Sequence, residues 1–252
     1  MKKLLLSAFV ICLAGTSIAQ ESPLWMRHCA LSPDGTTIAF TYKGDIYTVP
    51  STGGRATQIT TNPAFDTEPV WSPDSRQIAF ASDRMGSLDV FVVSSEGGAP
   101  QRLTTHSGSE KPVAYKDNKH ILFTANIAPS AEDAGFPSGQ FQQVYEVAVT
   151  GGRPAMFSSM PMECISINKE GVMLYQDKKG YEDYWRKHQV SPIARDIWTY
   201  TPGKKPVYQK QTTFGGEDRE PVWSPDGKSF YYLSEEKGSF NIFQRTPGTT
   251  TS

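Results

Sequence analysis

PVWSPDSRQIAFASDRMGSLDVFVVSSEGGAPQRLTT, Pro69–Thr105, is one complete structural unit, and most of the chain repeats it. Pro69–Ser72 is extended and apolar. Ser72-Pro73-Asp74-Ser75 is a turn, because Pro73 fixes φ and the Asp74 carboxylate can accept backbone N–H groups just ahead of it. Gln77–Ala81 forms a second strand, and a polar loop, Ser82–Ser87, leads from it into a third, Leu88–Val93, rich in β-branched and aromatic residues. Glu96-Gly97-Gly98 closes a hairpin, since glycine accepts the positive φ such a turn demands. Gln101–Thr104 is a short fourth strand. Four antiparallel strands in about 40 residues make one blade of a β-propeller, a sheet that covers both its faces only by packing between copies of itself.

Working outward, the pattern recurs. The unit before it spans about 24–61 and carries Ser32-Pro33-Asp34-Gly35 and Gly53-Gly54. The unit after it, about 112–159, replaces the turn by Tyr115-Lys116-Asp117-Asn118 and inserts residues 126–139. A fourth, about 162–214, keeps the degenerate turn Asn168-Lys169-Glu170-Gly171 and inserts residues 176–195. A fifth, about 220–252, opens cleanly on Pro221–Gly227, and its last recognisable strand is the third, Asn241–Gln244. An aromatic ends the second strand of each unit: Phe40, Phe80, Phe123, Tyr175 and Tyr232. Their spacings of 40, 43, 52 and 57 grow by insertion into loops. The chain is therefore expected to be all-β, a β-propeller of four-stranded antiparallel blades with about five repeats, the last incomplete, in an unfinished six-bladed ring. Such an open ring exposes two apolar flanks, so marginal stability or self-association, including a homo-oligomer, is expected.

Residues 1–19, MKKLLLSAFVICLAGTSIA, place two lysines before an apolar run and small residues, Ser17 and Ala19, before a cleavage point. That is the pattern of a secretory signal peptide cut near Ala19/Gln20, and the run is too short to span a bilayer. Domain 20–252 is then exported, to the periplasm or the medium, with no membrane span after cleavage. The formal charge of −1, or −3 once Lys2 and Lys3 are removed, argues against nucleic acid as a partner. Cys12 lies in the leader. Cys29 and Cys164 fall near the start of the first strand in units one and four. Those positions sit too far apart for a disulfide, so two buried free thiols are expected.

Motifs for chemistry are scarce. The Ser-Pro-Asp sequences recur once per unit where a tight turn is needed, which makes them turns and not catalytic serines. A nucleophilic site needs serine, base and oxyanion hole together, whereas His28, His106, His120 and His188 are scattered singly. No spacing of metal ligands stands out, and the Gly-Gly pairs precede no helix, so a phosphate loop is excluded. The reading assigns no catalytic residue, no metal and no cofactor. One stretch is not explained by blade building: GYEDYWRKHQVSPIARDIW, Gly180–Trp198. Its Tyr184, Trp185, Arg186, Lys187, His188 and Arg195 combine aromatics and cations in a loop, a chemistry suited to peptide or to a domain interface. The plainer alternative is that Trp185 packs on a neighbouring blade and the charges are solvated.

The repeat resembles the PD40, WD40-like or TolB-like propeller repeat. Phe136–Gly139 followed by Gln143–Val147, and Gly180–Asp183 with Trp185–His188 and Ala194–Trp198, are similar to the third and fourth blades of the tricorn-like proteases of the S41 serine peptidase class. The resemblance implies an N-terminal propeller of about six blades that gates or guides peptides to a peptidase core elsewhere in the parent chain. Peptide substrates and those peptidase domains are then its partners, and no family catalytic residue maps onto this sequence. A TolB-like periplasmic interaction scaffold is the alternative, although TolB-like proteins carry a separate α/β domain ahead of the propeller.

Overall fold

The recurring turn decides where each sheet begins. In the computed structural model, which describes residues 25–127, 141–180 and 190–249, Ser72 Oγ donates to Asp74 Oδ1 at 2.7 Å and accepts the Gln77 N–H at 2.9 Å. Asp74 in turn accepts the Arg76 N–H at 3.2 Å. Ser32 with Asp34 and Ser224 with Asp226 repeat the arrangement, each pair at 2.6 Å. Asn168 supplies the same service in the fourth unit, its Oδ1 accepting the N–H groups of Glu170 and Val172. These serines and aspartates close turns, as the repeat implied, and their hydrogen bonds hold the Asp34, Asp74 and Asp226 carboxyls below the ordinary carboxylate range.

Five antiparallel sheets follow, one per repeat. The first contains β1 (Arg27–Leu31), β2 (Thr37–Tyr42), β3 (Asp45–Pro50) and β4 (Thr57–Gln58). The second contains β5 (Asp66–Trp71), β6 (Gln77–Ser82), β7 (Asp89–Ser94) and β8 (Gln101–Arg102). The third is built from β9 (Lys111–Asp117), β10 (His120–Ala125), β11 (Gln143–Ala148) and β12 (Ala155–Ser158). The fourth takes β13 (Met162–Ile167), β14 (Met173–Asp177), β15 (Ile197–Thr201) and β16 (Val207–Lys210). The fifth has three strands, β17 (Asp218–Trp223), β18 (Phe230–Ser234) and β19 (Asn241–Arg245). In every sheet strand order follows chain order, as hairpin-connected blades require. The described residues build five blades, the last short of its fourth strand, and no sixth.

The repeat aromatics are the centre of each sheet. Phe40, Phe80, Phe123, Tyr175 and Tyr232 are all buried and stand opposite Tyr47, Phe91, Tyr145, Trp198 and Phe243 on the third strands. Apolar clusters fill the space between successive blades: Ala39 and Ile46 of the first meet Trp71, Ile78, Phe80, Phe91 and Val93 of the second. Tryptophans stitch the blades as well as filling the gap. Trp71 Nε1 donates to the Ala30 carbonyl of the preceding blade at 2.9 Å, and Trp223 Nε1 to that of Val172 at 3.1 Å. The first strands β1, β5, β9, β13 and β17 lie innermost, each packed beside the next, with no comparable packing between β17 and β1. Accordingly no described residue covers the outer faces of the end blades. Val222, Tyr231 and Ile242 are exposed on the fifth, and Leu31 on the first.

Two expectations need correction. The first strands begin earlier than the sequence suggested, at Asp66 and Asp218 and not near Pro69 and Glu220, because a β-bulge carries the strand through the proline. Both cysteines are free, but they are exposed and not buried, and both line the cavity between the inner strands.

Candidate functional site

Every innermost strand is interrupted by a bulge at the same place: between Arg27 and Ala30, Thr67 and Val70, Glu163 and Ser166, and Arg219 and Val222, with the matching irregularity at Pro112–Ala114. A bulge adds one residue to a strand and re-aims its side chain. At that added position His28, Glu68, Cys164 and Glu220 all have positive φ, 51°, 54°, 51° and 54°. Only Pro112, whose ring forbids positive φ, departs from the series. Non-glycine residues in this conformation are uncommon and concentrate where a structure has a use for them.

The bulges border an open cavity of about 620 Å³ between the inner strands. All five blades contribute: His28 and Cys29, Glu68 and Pro69, Pro112 and Val113, Glu163 and Cys164, Arg219 and Glu220, with Gln176 and Arg195 at the fourth blade. Its wall therefore alternates carboxylates, guanidinium groups, thiols and apolar rings and branches. Ion pairs fix the charged members. Lys111 Nζ lies 2.7 Å from Glu68 Oε1 and so links the second and third blades. Glu163 accepts from Lys178 at 2.9 Å, from Gln176 at 3.0 Å and from Arg195 Nε at 3.3 Å. Burial opposes ionisation of Glu163, but the Lys178 and Gln176 hydrogen bonds outweigh it and hold its pKa below the usual value. Arg195 also donates to Glu217 at 2.6 Å. Gln176 spans the next junction, accepting the Glu220 N–H at 2.8 Å.

Cys164 reaches the cavity solvent, yet protein crowds it from the surrounding blades. Burial, reinforced by the nearby Glu220 and Glu163, pushes its thiol up to about 12. A thiol so protonated is a poor nucleophile. His120 pairs with Asp117 at 3.0 Å and His106 Nδ1 accepts the Gly108 N–H, but among the described residues no histidine ring bonds a serine hydroxyl. No group of three or more His, Cys, Asp or Glu among the described residues can hold a metal ion, and no helix there is long and apolar enough to cross a membrane. The arrangement is an open cavity that offers both polar and apolar contacts from all five inner strands.

Of the residues singled out by sequence, Arg195 is in this wall, ion-paired and largely buried. Tyr184, Trp185, Arg186, Lys187 and His188 lie outside the described residues. Sequence reasoning missed the ring of His28, Glu68, Cys164 and Glu220. Its signal was present in the paired Glu-Pro-Val of residues 68–70 and 220–222, where a proline inside an inner strand marks a bulge.

The family described as the tricorn protease N-terminal beta propeller domain matches residues 23–252. Tricorn protease homolog 1 of Streptomyces coelicolor is 39% identical over 213 residues, covering 84% of this chain and 19% of that protein. The crystal structure of the tricorn protease superposes with a TM-score of 0.70 at 17% identity, over 89% of this chain and 22% of that one. TolB from Acinetobacter baumannii superposes at 0.61 with 18% identity, over 88% of this chain and 51% of that one. The chain thus spans about a fifth of the length of the tricorn-type proteins it matches. It belongs to the tricorn protease N-terminal β-propeller family.

Proposed function

We propose that this propeller is the non-catalytic peptide passage of an exported tricorn-like protease of the S41 class, gating or guiding peptides through its axial cavity to or from a peptidase core elsewhere in the parent protein. The observation that carries the reading is the cavity of about 620 Å³ walled by all five inner strands. Export rests on the leader pattern of residues 1–19. The wall pairs charges with Pro69, Pro112, Val70 and Val113, so it offers weak contacts to any peptide and strong selection for none, which is what transit needs.

The test uses the cavity's own cysteine. Unstructured peptides of about ten residues, long enough to thread a blade-thick channel, are expected to slow iodoacetamide modification of Cys29 several-fold. Unchanged modification at saturating peptide overturns the passage reading. Sequencing the encoding locus past codon 252 tests the parent protein separately, and a serine peptidase core in frame is the expected result. The likeness to TolB supports a second reading, a periplasmic interaction scaffold. Capture of one specific envelope protein by the chain, with no effect of peptides on Cys29, favours that reading.

A further inference from the structure

A second cavity, of about 400 Å³, opens between the first and second blades at the end that carries the Ser-Pro-Asp turns. It shares no residue with the cavity between the inner strands. It lies on the face of the first blade that the second covers, so it is indifferent to what adjoins the open sides of the end blades. Its room comes from short side chains. Pairing opposite Ala39 and Ala79 makes Thr48 the counterpart of Val92, and Thr57 that of Gln101 one strand further out. Thr36 and Thr37 follow the turn where the second blade has Arg76 and Gln77. Gln101 reaches across to the third blade, its Nε2 3.8 Å from the place a Cβ would take on Gly151. Threonine at 57 is too short for that. The neighbouring turns are tied together, Ser75 Oγ accepting the Asp34 N–H at 3.3 Å, so the gap is framed.

Thr48 shows what the gap lacks. At its position the second blade has Val92, packed in an apolar cluster. The third has Glu146, ion-paired with Lys116 at 2.7 Å, and the fourth has Thr199, whose hydroxyl donates to the Gln209 carbonyl at 3.3 Å. Thr48 is 8% exposed and lines the cavity, yet among the described residues its hydroxyl has no hydrogen-bond partner. A hydroxyl so buried calls for a polar group to meet it. Around it the wall offers the hydroxyls of Thr57, Ser75 and Ser95 and the apolar surfaces of Ile59 and Trp71. Arg55, Asp34 and Glu96 complete it, and among the described residues the Arg55 and Glu96 side chains are neither ion-paired nor hydrogen-bonded. Two carboxylates against one guanidinium disfavour an anion. Donor-only and acceptor-only groups mixed with hydroxyls suit a ligand whose own groups both donate and accept, and the volume is that of a small-molecule site.

We propose that this cavity binds a neutral sugar, one pyranose unit of a saccharide. One ring hydroxyl meets Thr48, others bridge Arg55 and the carboxylates of Asp34 and Glu96, and the C–H face of the ring lies against Ile59 and Trp71. The site is separate from the passage between the inner strands, so its fate does not depend on that reading.

The probes are methyl α-glucoside, methyl α-mannoside and methyl α-galactoside, added singly to the full chain, with glycylglycine and inorganic phosphate as zwitterionic and anionic comparisons. Amide chemical shifts are the readout. Saturable shifts at Thr48, Thr57 and Ser95 are expected with at least one glycoside. Thr48→Val installs the residue of the second blade and is expected to weaken binding about five- to tenfold, as for loss of one hydrogen bond. Thr57→Gln, which copies Gln101, fills the cavity and is expected to abolish binding; Thr57 is exposed, and an unchanged urea midpoint checks that both variants stay folded. No saturable binding of any glycoside overturns the proposal, as does glycoside binding that survives both substitutions unchanged. A response confined to glycylglycine or phosphate also overturns it and assigns the cavity to a charged ligand.

Discussion

Asp66 and Asp218 occupy the same position in their blades, but a guanidinium hydrogen-bonds only the first, Arg245 acting on Asp218 from farther off. Asp66 is fully buried and accepts two hydrogen bonds of 3.0 Å from Arg84. Asp218 is 1% exposed and has no such partner, and its oxygens find no well-aligned hydrogen bond although the Ser234 and Thr212 hydroxyls lie close. Burial, with help from Asp196, therefore raises its pKa from 3.8 to about 6. The sign follows from linkage: between these values the native state keeps a proton that the unfolded state has lost, so stability is complete below about pH 4 and falls as pH rises through 6. Two pKa units correspond to about 3 kcal/mol. Urea titrations of Asp218→Asn should show that fall abolished and stability at pH 7.5 raised by about 1–3 kcal/mol; an unaltered pH profile would exclude Asp218 as its source. Cys164 makes a second residue-scale prediction. With its thiol pushed up to about 12, iodoacetamide at pH 8 should leave Cys164 unmodified over a time in which Cys29 reacts, as read by peptide mass spectrometry; equal rates would contradict the crowding argument. Neither property was legible in the sequence. Asp66 and Asp218 look alike in a row of residues, and what separates them is Arg84, eighteen positions from one and absent from the other.

Strands were far more legible, because their signals are local. Ser-Pro-Asp turns, Gly-Gly hairpins and the aromatic ending each second strand are all encoded within a few residues, and each appeared in place. What stayed hidden was non-local: a bulge shows only as a shift of pairing between two strands, and its turned-in side chain acquires meaning only when five such strands surround an axis. The loop Gly180–Trp198 illustrates the intermediate case, since Arg195 could be selected for its charge but not for its partners Glu163 and Glu217. The fourth strands are short, yet they hold. In the first, second and fourth blades threonine is the reason, Thr60, Thr104 and Thr212 clasping the third strand through their hydroxyls where the regular ladder has ended. Thr104→Val keeps shape and burial while leaving the Val90 N–H without its acceptor at a site 1% exposed. The cost should be about 1–3 kcal/mol in equilibrium unfolding, the penalty for an unsatisfied buried donor. A change under about 0.3 kcal/mol would mean that the clasp carries no weight.

Across the whole molecule, burial is graded along the chain. The second and third blades are covered on both faces, and their central strands β6 and β10 hold residues such as Ile78, Phe80, Ile121 and Phe123 at 0% exposure. The fifth blade has one covered face, where Trp223, Phe230 and Tyr232 meet the fourth blade through Leu174 and Ile197. Its other face exposes Val222, Tyr231 and Ile242, and among the described residues no fourth strand shields it. The first blade likewise covers one face, but it keeps all four strands. A quasi-one-dimensional stack of this kind distributes stability by neighbour contacts, so opening should begin where neighbours are fewest. Hydrogen exchange at neutral pH should then rank the blades: amides of β18 and β19 fastest, those of β2 and β3 intermediate, and those of β6 and β10 slowest, with the slow group governed by global unfolding. The ordering separates two pictures of the molecule. Graded protection means that each blade is stabilised mainly by the blade beside it. Uniform protection across all five blades would instead require a coupling between the first and fifth blades that the packing of β17 and β1 does not provide.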